Sequence, residues 1–302
     1  MALSGAVHRD FRFLPRYTFH FNTVMIGAVN LTLRLQRLFS RLPSGVSATK
    51  ISDPALPRII EFTPQGHTGS SGSIVYCHGG GFSCTYAALH LKLCAYYAEQ
   101  TGAKVFLVDY RLSGPFPAPA QLNDCLAAYR WVRERGDPRS RVLLAGDSVG
   151  GCLAAGVQVR AGEIGLPADG LMLVYPALDH RNATESATAA FCTPMWNFRS
   201  NANMWGHYLR GLPGGDAVEP ALSPATVDDL SAWPKTYIET AEVDPLHDEG
   251  VHFAERLQAA GRDIALNKTI GTVHGFDLVG GSQITKEALT QRVLFLRSAL
   301  SG

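Results

Sequence analysis

Residues 141–150 constrain this chain more than any other segment: Arg141-Val-Leu-Leu-Ala145 runs into Gly146-Asp147-Ser148-Val149-Gly150. The first five residues read as a β-strand, and the Ala-rich stretch that follows reads as a helix to about Ala161. Strand, Gly-x-Ser-x-Gly, helix is the sequence form of a nucleophile elbow. The turn is too tight for side chains at its two glycines. It holds Ser148 at its tip in a strained backbone conformation, with Oγ exposed above a sheet. The pentapeptide alone also arises by chance, so its flanks and three further motifs in chain order carry the inference.

From about residue 58, β-type runs alternate with helix-type segments. Ile59 to Phe62, Ser73 to Cys77, Lys104 to Asp109, Gly170 to Tyr175, Lys235 to Thr240 and Ile264 to Thr269 read as strands. Ala88 to Thr101, Ala120 to Arg135, Leu246 to Ala260 and Thr285 to Ala299 read as helices. This alternation predicts an α/β chain, a mostly parallel central sheet flanked by helices on both faces. The stretch from about His180 to Asp229 breaks the rhythm and reads as an inserted helical lid, joined by N-terminal helices within residues 1–45. In such folds the sites lie on loops at the carboxyl ends of the strands.

Bulk properties exclude several classes. A chain of 302 residues, 46% hydrophobic, builds one large core with a small cap and is not disordered. Its formal net charge of +1 and the lack of a Lys/Arg block give no reason to expect nucleic acid or an anionic membrane surface. Cys77, Cys84, Cys94, Cys125, Cys152 and Cys192 form no C-x-x-C pair; they read as small buried thiols in a reducing, cytoplasmic setting. Cys77 and Cys84 flank a glycine-rich loop, which gives them a route to thiol reagents. Histidines and acids show no metal-ligand spacing, so neither metal nor cofactor is expected. Thr23 to Leu33 lacks the pattern of a secretory signal and is too short to span a bilayer. Phe21, Met25, Val29, Leu33 and Leu38 predict an amphipathic helix, which packs on protein or, as the second reading, lies on a membrane surface.

Acyl transfer needs a nucleophile, a base, a group to orient that base and donors for a developing oxyanion. Ser148 is the candidate nucleophile. His274, in Gly271-Thr-Val-His-Gly-Phe276, follows the last strand and is the candidate base; His247 and His252 fall on a helix facing solvent, and His90 and His207 have no special context. Asp244 sits in the loop after the strand Lys235 to Thr240, with Pro245 at an early helical position, where its carboxylate can reach the imidazole. Asp248 and Glu249 read as favourable charges at a helix N-terminus. Cys77-His78-Gly79-Gly80-Gly81-Phe82 follows a strand, so Gly80 and Gly81, with Val149, are the candidate N–H donors. The loop lacks the Gly-Lys-Ser/Thr of a phosphate cradle. Phe82, Trp196 and Trp205, with lid residues near Met195 and Met204, are candidate pocket walls; ordinary lid-core packing is their other reading.

His78-Gly-Gly-Gly-Phe82, Gly146-Asp-Ser-Val-Gly-Gly151, Asp244-Pro-Leu-His-Asp-Glu-Gly250 and His274-Gly-Phe276 together resemble the hormone-sensitive lipase family of α/β-hydrolase carboxylesterases. The resemblance covers about residues 58–300. It implies an α/β-hydrolase fold with residues 46–302 as catalytic domain, a cap insertion at about 180–230, and an acyl-enzyme intermediate on a small-molecule ester. It also implies that His78 orients its loop, that Asp147 supports the site, and that two copies pair through an edge strand or the last helix. Two departures stand out. Val149 replaces the family's usual alanine, and its extra methyl groups are expected to narrow the acyl end of the pocket, favouring short chains. Tyr110-Arg-Leu-Ser-Gly-Pro-Phe116 lacks the family's usual glutamate. An amidase, lactonase or deacetylase would use the same residues. A non-catalytic small-molecule receptor on this fold typically loses the histidine, which is present here as His274.

Overall fold

Eight strands form one sheet in the order β1-β2-β4-β3-β5-β6-β7-β8 in the computed structural model, which describes residues 6–67, 72–189 and 192–302. The strands are β1 (Val46–Ile51), β2 (Arg58–Pro64), β3 (Ser73–Cys77), β4 (Lys104–Asp109), β5 (Val142–Asp147), β6 (Gly170–Val174), β7 (Thr236–Val243) and β8 (Ile264–Val273). β1 and β2 pair antiparallel, as do β2 and β4; every pairing from β4 to β8 is parallel. The helices are α1 (Thr23–Leu38), α2 (Ala88–Thr101), α3 (Ala120–Arg135), α4 (Val149–Glu163), α5 (Glu185–Ala189), α6 (Phe198–Tyr208), α7 (His247–Ala259) and α8 (Gln283–Ser301).

The central strands read as continuous apolar runs because both faces of the sheet are covered. Alternate residues feed separate cores: Val75, Leu144 and Leu173 pack with Leu122, Leu153 and Phe253 of α3, α4 and α7. Ile74, Tyr76, Leu143 and Met172 pack with Tyr97 and Leu296 of α2 and α8 on the other side. Strand β1 was not legible from its sequence: Val-Ser-Ala-Thr-Lys-Ile is an edge strand with little buried besides Val46, so it carries no apolar run. Strands β7 and β8 run past Thr240 and Thr269, to Val243 and Val273, and so carry their chains up to Asp244 and His274.

The chain between β6 and β7 supplies α5, α6 and a series of short turns, and it meets the N-terminal segment directly. The Phe19 N–H donates to Ser200 Oγ at 2.8 Å, Asn197 Nδ2 donates to the Tyr17 carbonyl at 2.8 Å, and the Met195 N–H donates to the Pro15 carbonyl at 2.8 Å. Residues 1–5 and 190–191 of these two expected cap segments lie outside the described residues. α1 forms where the apolar spacing places it, with Asn22 capping the Met25 N–H through its side chain.

The cysteines divide differently from the expectation. Five are buried and Cys192 is exposed. Cys84 lies against the candidate site, but burial pushes its thiol up to about 12, which leaves little thiolate to react. A disulfide reagent added to the native protein should therefore titrate Cys192 rapidly and the other thiols only on unfolding. In Cys192→Ser the fast phase should be absent.

Candidate active site

Packing around the elbow explains why Ser148 stands where it does. Its backbone is at φ 54°, ψ −124°, and its N–H donates to the Val174 carbonyl of β6 at 2.9 Å. A methyl group on Gly150 would lie 2.0 Å from the Cys77 carbonyl oxygen, and one on Gly146 would lie 2.2 Å from the Gly150 oxygen. Two glycines thus let β5 and α4 close against the end of β3 and force the residue between them into positive φ.

Three chain segments converge on the serine. His274 Nε2 lies 3.0 Å from Ser148 Oγ, and His274 Nδ1 lies 2.7 Å from Asp244 Oδ2. Asp244 is fully buried, and its other oxygen accepts the Leu246 N–H at 3.0 Å. A carboxylate on Nδ1 fixes the ring so that Nε2 faces the hydroxyl, the arrangement a general base needs. Tyr175, immediately after β6, packs edge-on against the imidazole with ring centroids 4.9 Å apart, and Trp196 lies over it at 5.8 Å.

The glycine-rich loop is tied to the elbow through Asp147. Its Oδ1 accepts the Gly79 N–H at 3.1 Å and the Tyr76 hydroxyl at 2.9 Å, and its Oδ2 is 3.2 Å from His90 Nε2. Burial pushes this carboxyl up, but His90, by charge and hydrogen bond, and Tyr76 outweigh burial and hold it at about 2. His90 was passed over in the sequence because its partner lies 57 residues away. Its Nδ1 also accepts the Ala87 N–H at the start of α2. His78 is buried, stacks on Tyr110 with centroids 4.2 Å apart, and donates from Nδ1 to its neighbour's Gly79 carbonyl at 2.7 Å. Burial first, and His90 second, push the His78 imidazole down to about 3, so it is neutral and unsuited to be a base. Among the described residues, the N–H groups of Gly80, Gly81 and Val149 have no backbone acceptor.

The cavity over Ser148 measures about 260 Å³. Gly80, Gly81, Ser148 and His274 form its floor, and Phe21, Met195, Trp196 and Leu278 are among its apolar walls. Of the three aromatic residues expected there, Trp196 alone lines it. Phe82 is fully buried and stacks on Tyr208 at 3.6 Å, and Trp205 packs beside both rings; these two belong to the core under the cap. Val149 likewise points into that core and does not border the cavity, so its methyl groups do not narrow the pocket. Phe21 does: its ring would meet a methyl group on Gly81 at 2.7 Å, and it also faces Trp196 and His207. Sequence spacing had placed Phe21 on the amphipathic helix and gave no signal that it reaches the site.

Asp248 and Glu249 do more than favour a helix N-terminus. Asp248 Oδ2 accepts the Ser186 N–H at 2.6 Å, and buried Glu249 Oε1 accepts the Leu178 N–H at 2.6 Å, so both tie the chain after β6 to the loop bearing Asp244. His252 is exposed as expected, but His247 is half-buried, with Nδ1 3.1 Å from the Ala241 carbonyl. The segment from Tyr110 to Phe116, which lacks a glutamate, is held by Asp124, a bidentate partner of Arg111, and by Gln121 on the Phe116 carbonyl.

The sequence profile of the α/β-hydrolase fold matches residues 74–278. This chain belongs to that family. It is 32% identical over 235 residues to Esterase LipI of Mycobacterium tuberculosis, covering 76% of this chain and 73% of LipI. A solved bacterial heroin esterase superposes with a TM-score of 0.87 at 31% identity, over 95% of this chain and 94% of that one. The chain is also 30% identical to the gibberellin receptor GID1C of Arabidopsis thaliana, over 82% of this chain and 72% of the receptor. Matched segments span from 54% to 76% of the lengths of such curated relatives.

The low position of His78 carries a pH consequence. Unfolded, a histidine binds its proton below about 6.5, whereas folded His78 binds it only below about 3. Between these values the unfolded state holds the extra proton, so the His78 contribution is complete above pH 6.5 and is lost as pH falls toward 3. The slope approaches about 1.4 kcal/mol per pH unit. Thermal melting followed from pH 7 to pH 4 should show a shallower decline in His78→Asn than in the wild type.

Proposed function

We propose that this chain is a serine carboxylesterase that hydrolyses short-to-medium acyl esters through an acyl-enzyme intermediate. The observation that carries this reading is the hydrogen-bonded run from Ser148 Oγ to His274 Nε2 at 3.0 Å and from His274 Nδ1 to Asp244 Oδ2 at 2.7 Å. Membership of the α/β-hydrolase fold family and the esterase relatives support the reaction class.

In this reading Ser148 Oγ attacks the ester carbonyl carbon while His274 Nε2 takes its proton. The N–H groups of Gly80, Gly81 and Val149 receive the negative charge that develops on the carbonyl oxygen. Asp244 stabilises the imidazolium, which then gives its proton to the leaving alcohol as the carbon–oxygen bond breaks. Water, deprotonated by His274, attacks the acyl-enzyme; the acid departs and Ser148 regains its proton. His78 and Asp147 hold the oxyanion loop and do not touch the ester.

The cavity, about 260 Å³ and walled in part by Phe21 and Trp196, supports the limit on acyl length. It falls just under the volumes of about 300–1,000 Å³ that take drug-sized ligands. A cytoplasmic location is part of the reading and is supported by six unpaired cysteines, five of them buried. No helix among the described residues is long and apolar enough to cross a membrane. The receptor reading, despite the likeness to GID1C, has no use for a base 3.0 Å from a strained serine.

Hydrolysis of a p-nitrophenyl ester series, acetate to palmitate, tests both parts. The wild type should turn over the short members fastest. Ser148→Ala should lose about 10⁶-fold in kcat and Asp244→Asn about 10⁴-fold. Wild-type rates in Ser148→Ala would overturn the mechanism, and fastest turnover of palmitate would overturn the limit on chain length. Enlarging the pocket with Phe21→Ala should move the optimum toward longer chains without abolishing acetate turnover.

A further inference from the structure

The two faces of α1 differ in what they meet. Val29 and Leu33 on the inner face line the cavity over Ser148, and Arg37 reaches inward over the Tyr86 ring at 3.9 Å and donates to the Tyr86 carbonyl. The opposite face carries Val24, Ala28, Leu31, Leu35 and Leu38 at alternating spacings of four and three residues, all exposed to solvent. Exposure of the large side chains runs from 50% at Leu35 to 84% at Phe39, just past the helix end. An amphipathic helix ordinarily buries its one apolar stripe; α1 carries Val29 and Leu33 inward and this second row outward, where single scattered apolar residues would be unremarkable but a continuous row is not.

The chain segment that carries this row is one-sided in charge. Residues 11–52 hold Arg12, Arg16, Arg34, Arg37, Arg41 and Lys50 and no aspartate or glutamate, although the whole chain has 27 basic and 26 acidic residues. Arg34 and Arg41 are exposed on and just past α1, whereas Arg12 and Arg16 donate to the Val7 and Cys192 carbonyls. Asp109 at the end of β4, paired with Arg58 at 3.1 Å, is an acid whose carboxyl also feels Arg37 and Arg34. We propose that the outer face of α1 docks on an anionic lipid surface, with Val24, Leu31, Leu35, Leu38 and Phe39 entering the acyl boundary and the arginines meeting the headgroups.

The apolar spacing would also seat a second copy of the chain, but the charges decide against it. Two such faces brought together would set Arg34 and Arg41 against their own copies, and the segment 11–52 supplies no carboxylate to offset them. An anionic bilayer complements the same arginines, each contributing the attraction that draws polybasic segments to such surfaces. The consequence for the site is direct: the helix that would lie in the lipid surface also walls the cavity, so an ester dissolved in the bilayer would meet the pocket beside its lining.

The test is co-sedimentation of the full chain with vesicles of phosphatidylcholine alone and of phosphatidylcholine mixed with phosphatidylglycerol. Leu31 and Leu35 face away from the cavity, so the doubly substituted Leu31→Glu, Leu35→Glu protein should keep its thermal melting by circular dichroism. The wild type should sediment with the anionic vesicles, less so as salt is raised, and the double variant should partition at least about tenfold more weakly. Equal partitioning of wild type and variant, or no preference for anionic over neutral vesicles, would overturn the proposal. So would a wild-type dimer in analytical ultracentrifugation that the double variant dissolves, which would assign the face to a second copy. These readouts do not depend on Ser148, so their failure is distinguishable from failure of the esterase reading.

Discussion

The buried carboxylate of Asp147 joins the two halves of the site. It ends β5, one residue before Ser148, yet its oxygens accept the Gly79 N–H of the glycine-rich loop and the Tyr76 hydroxyl of β3 and contact His90 of α2. A carboxylate removed from water is costly unless its lone pairs are filled, and these three partners fill them. The three glycines of the loop have no side chains to fix it, and Phe82 beyond them is held in the core by its stack on Tyr208. The loop is held near the serine by this anchor, by the stack of His78 on Tyr110 and by that of Phe82 on Tyr208. An elbow that held the nucleophile without holding the loop would have an attacking group and nowhere fixed to put the charge that forms.

A second buried network does the same for His274, the proposed base. Arg292 of α8, with no exposure to solvent, pairs with Glu239 of β7 and with Asp277, and Asp277 accepts the Tyr175 hydroxyl at 2.8 Å. Tyr175 in turn packs its ring on His274. The imidazole is thus confined by Asp244 on one nitrogen and by a tyrosine whose own position is locked from the far side of the sheet. Asp248 and Glu249 extend the tie to the chain after β6, so the loop bearing Asp244 is braced on several sides.

Much of this was legible in the sequence for a physical reason. Residues at the carboxyl ends of parallel strands occupy fixed places relative to one another, so runs read as ending at Cys77, Ala145, Thr240 and Thr269 locate Gly80, Ser148, Asp244 and His274 in one region. What was not legible depends on long-range contact. The six residues of β1 sit on an exposed edge and alternate without an apolar signature. Phe82 and Trp205 are as aromatic as Trp196, and nothing local says which way each ring turns. Phe82 stacks on Tyr208 in the core under the cap, a partner that no spacing announces. His90 and Arg292 look like ordinary helical residues until their carboxylate partners, 57 and 53 positions away, are brought beside them. The inward reach of Phe21 likewise depends on the N-terminal segment being hydrogen-bonded to the cap at Ser200 and Asn197.

The central claim is that Ser148, and no other hydroxyl of the chain, is activated for attack. A fluorophosphonate reagent tests this most directly, because it reacts covalently with an activated serine and can be located by peptide mass mapping. The account predicts a single adduct on the peptide containing Ser148, formed rapidly by the wild type, absent from Ser148→Ala and strongly slowed in His274→Ala. An adduct on another residue, or labelling of Ser148 at the same rate without His274, would contradict it.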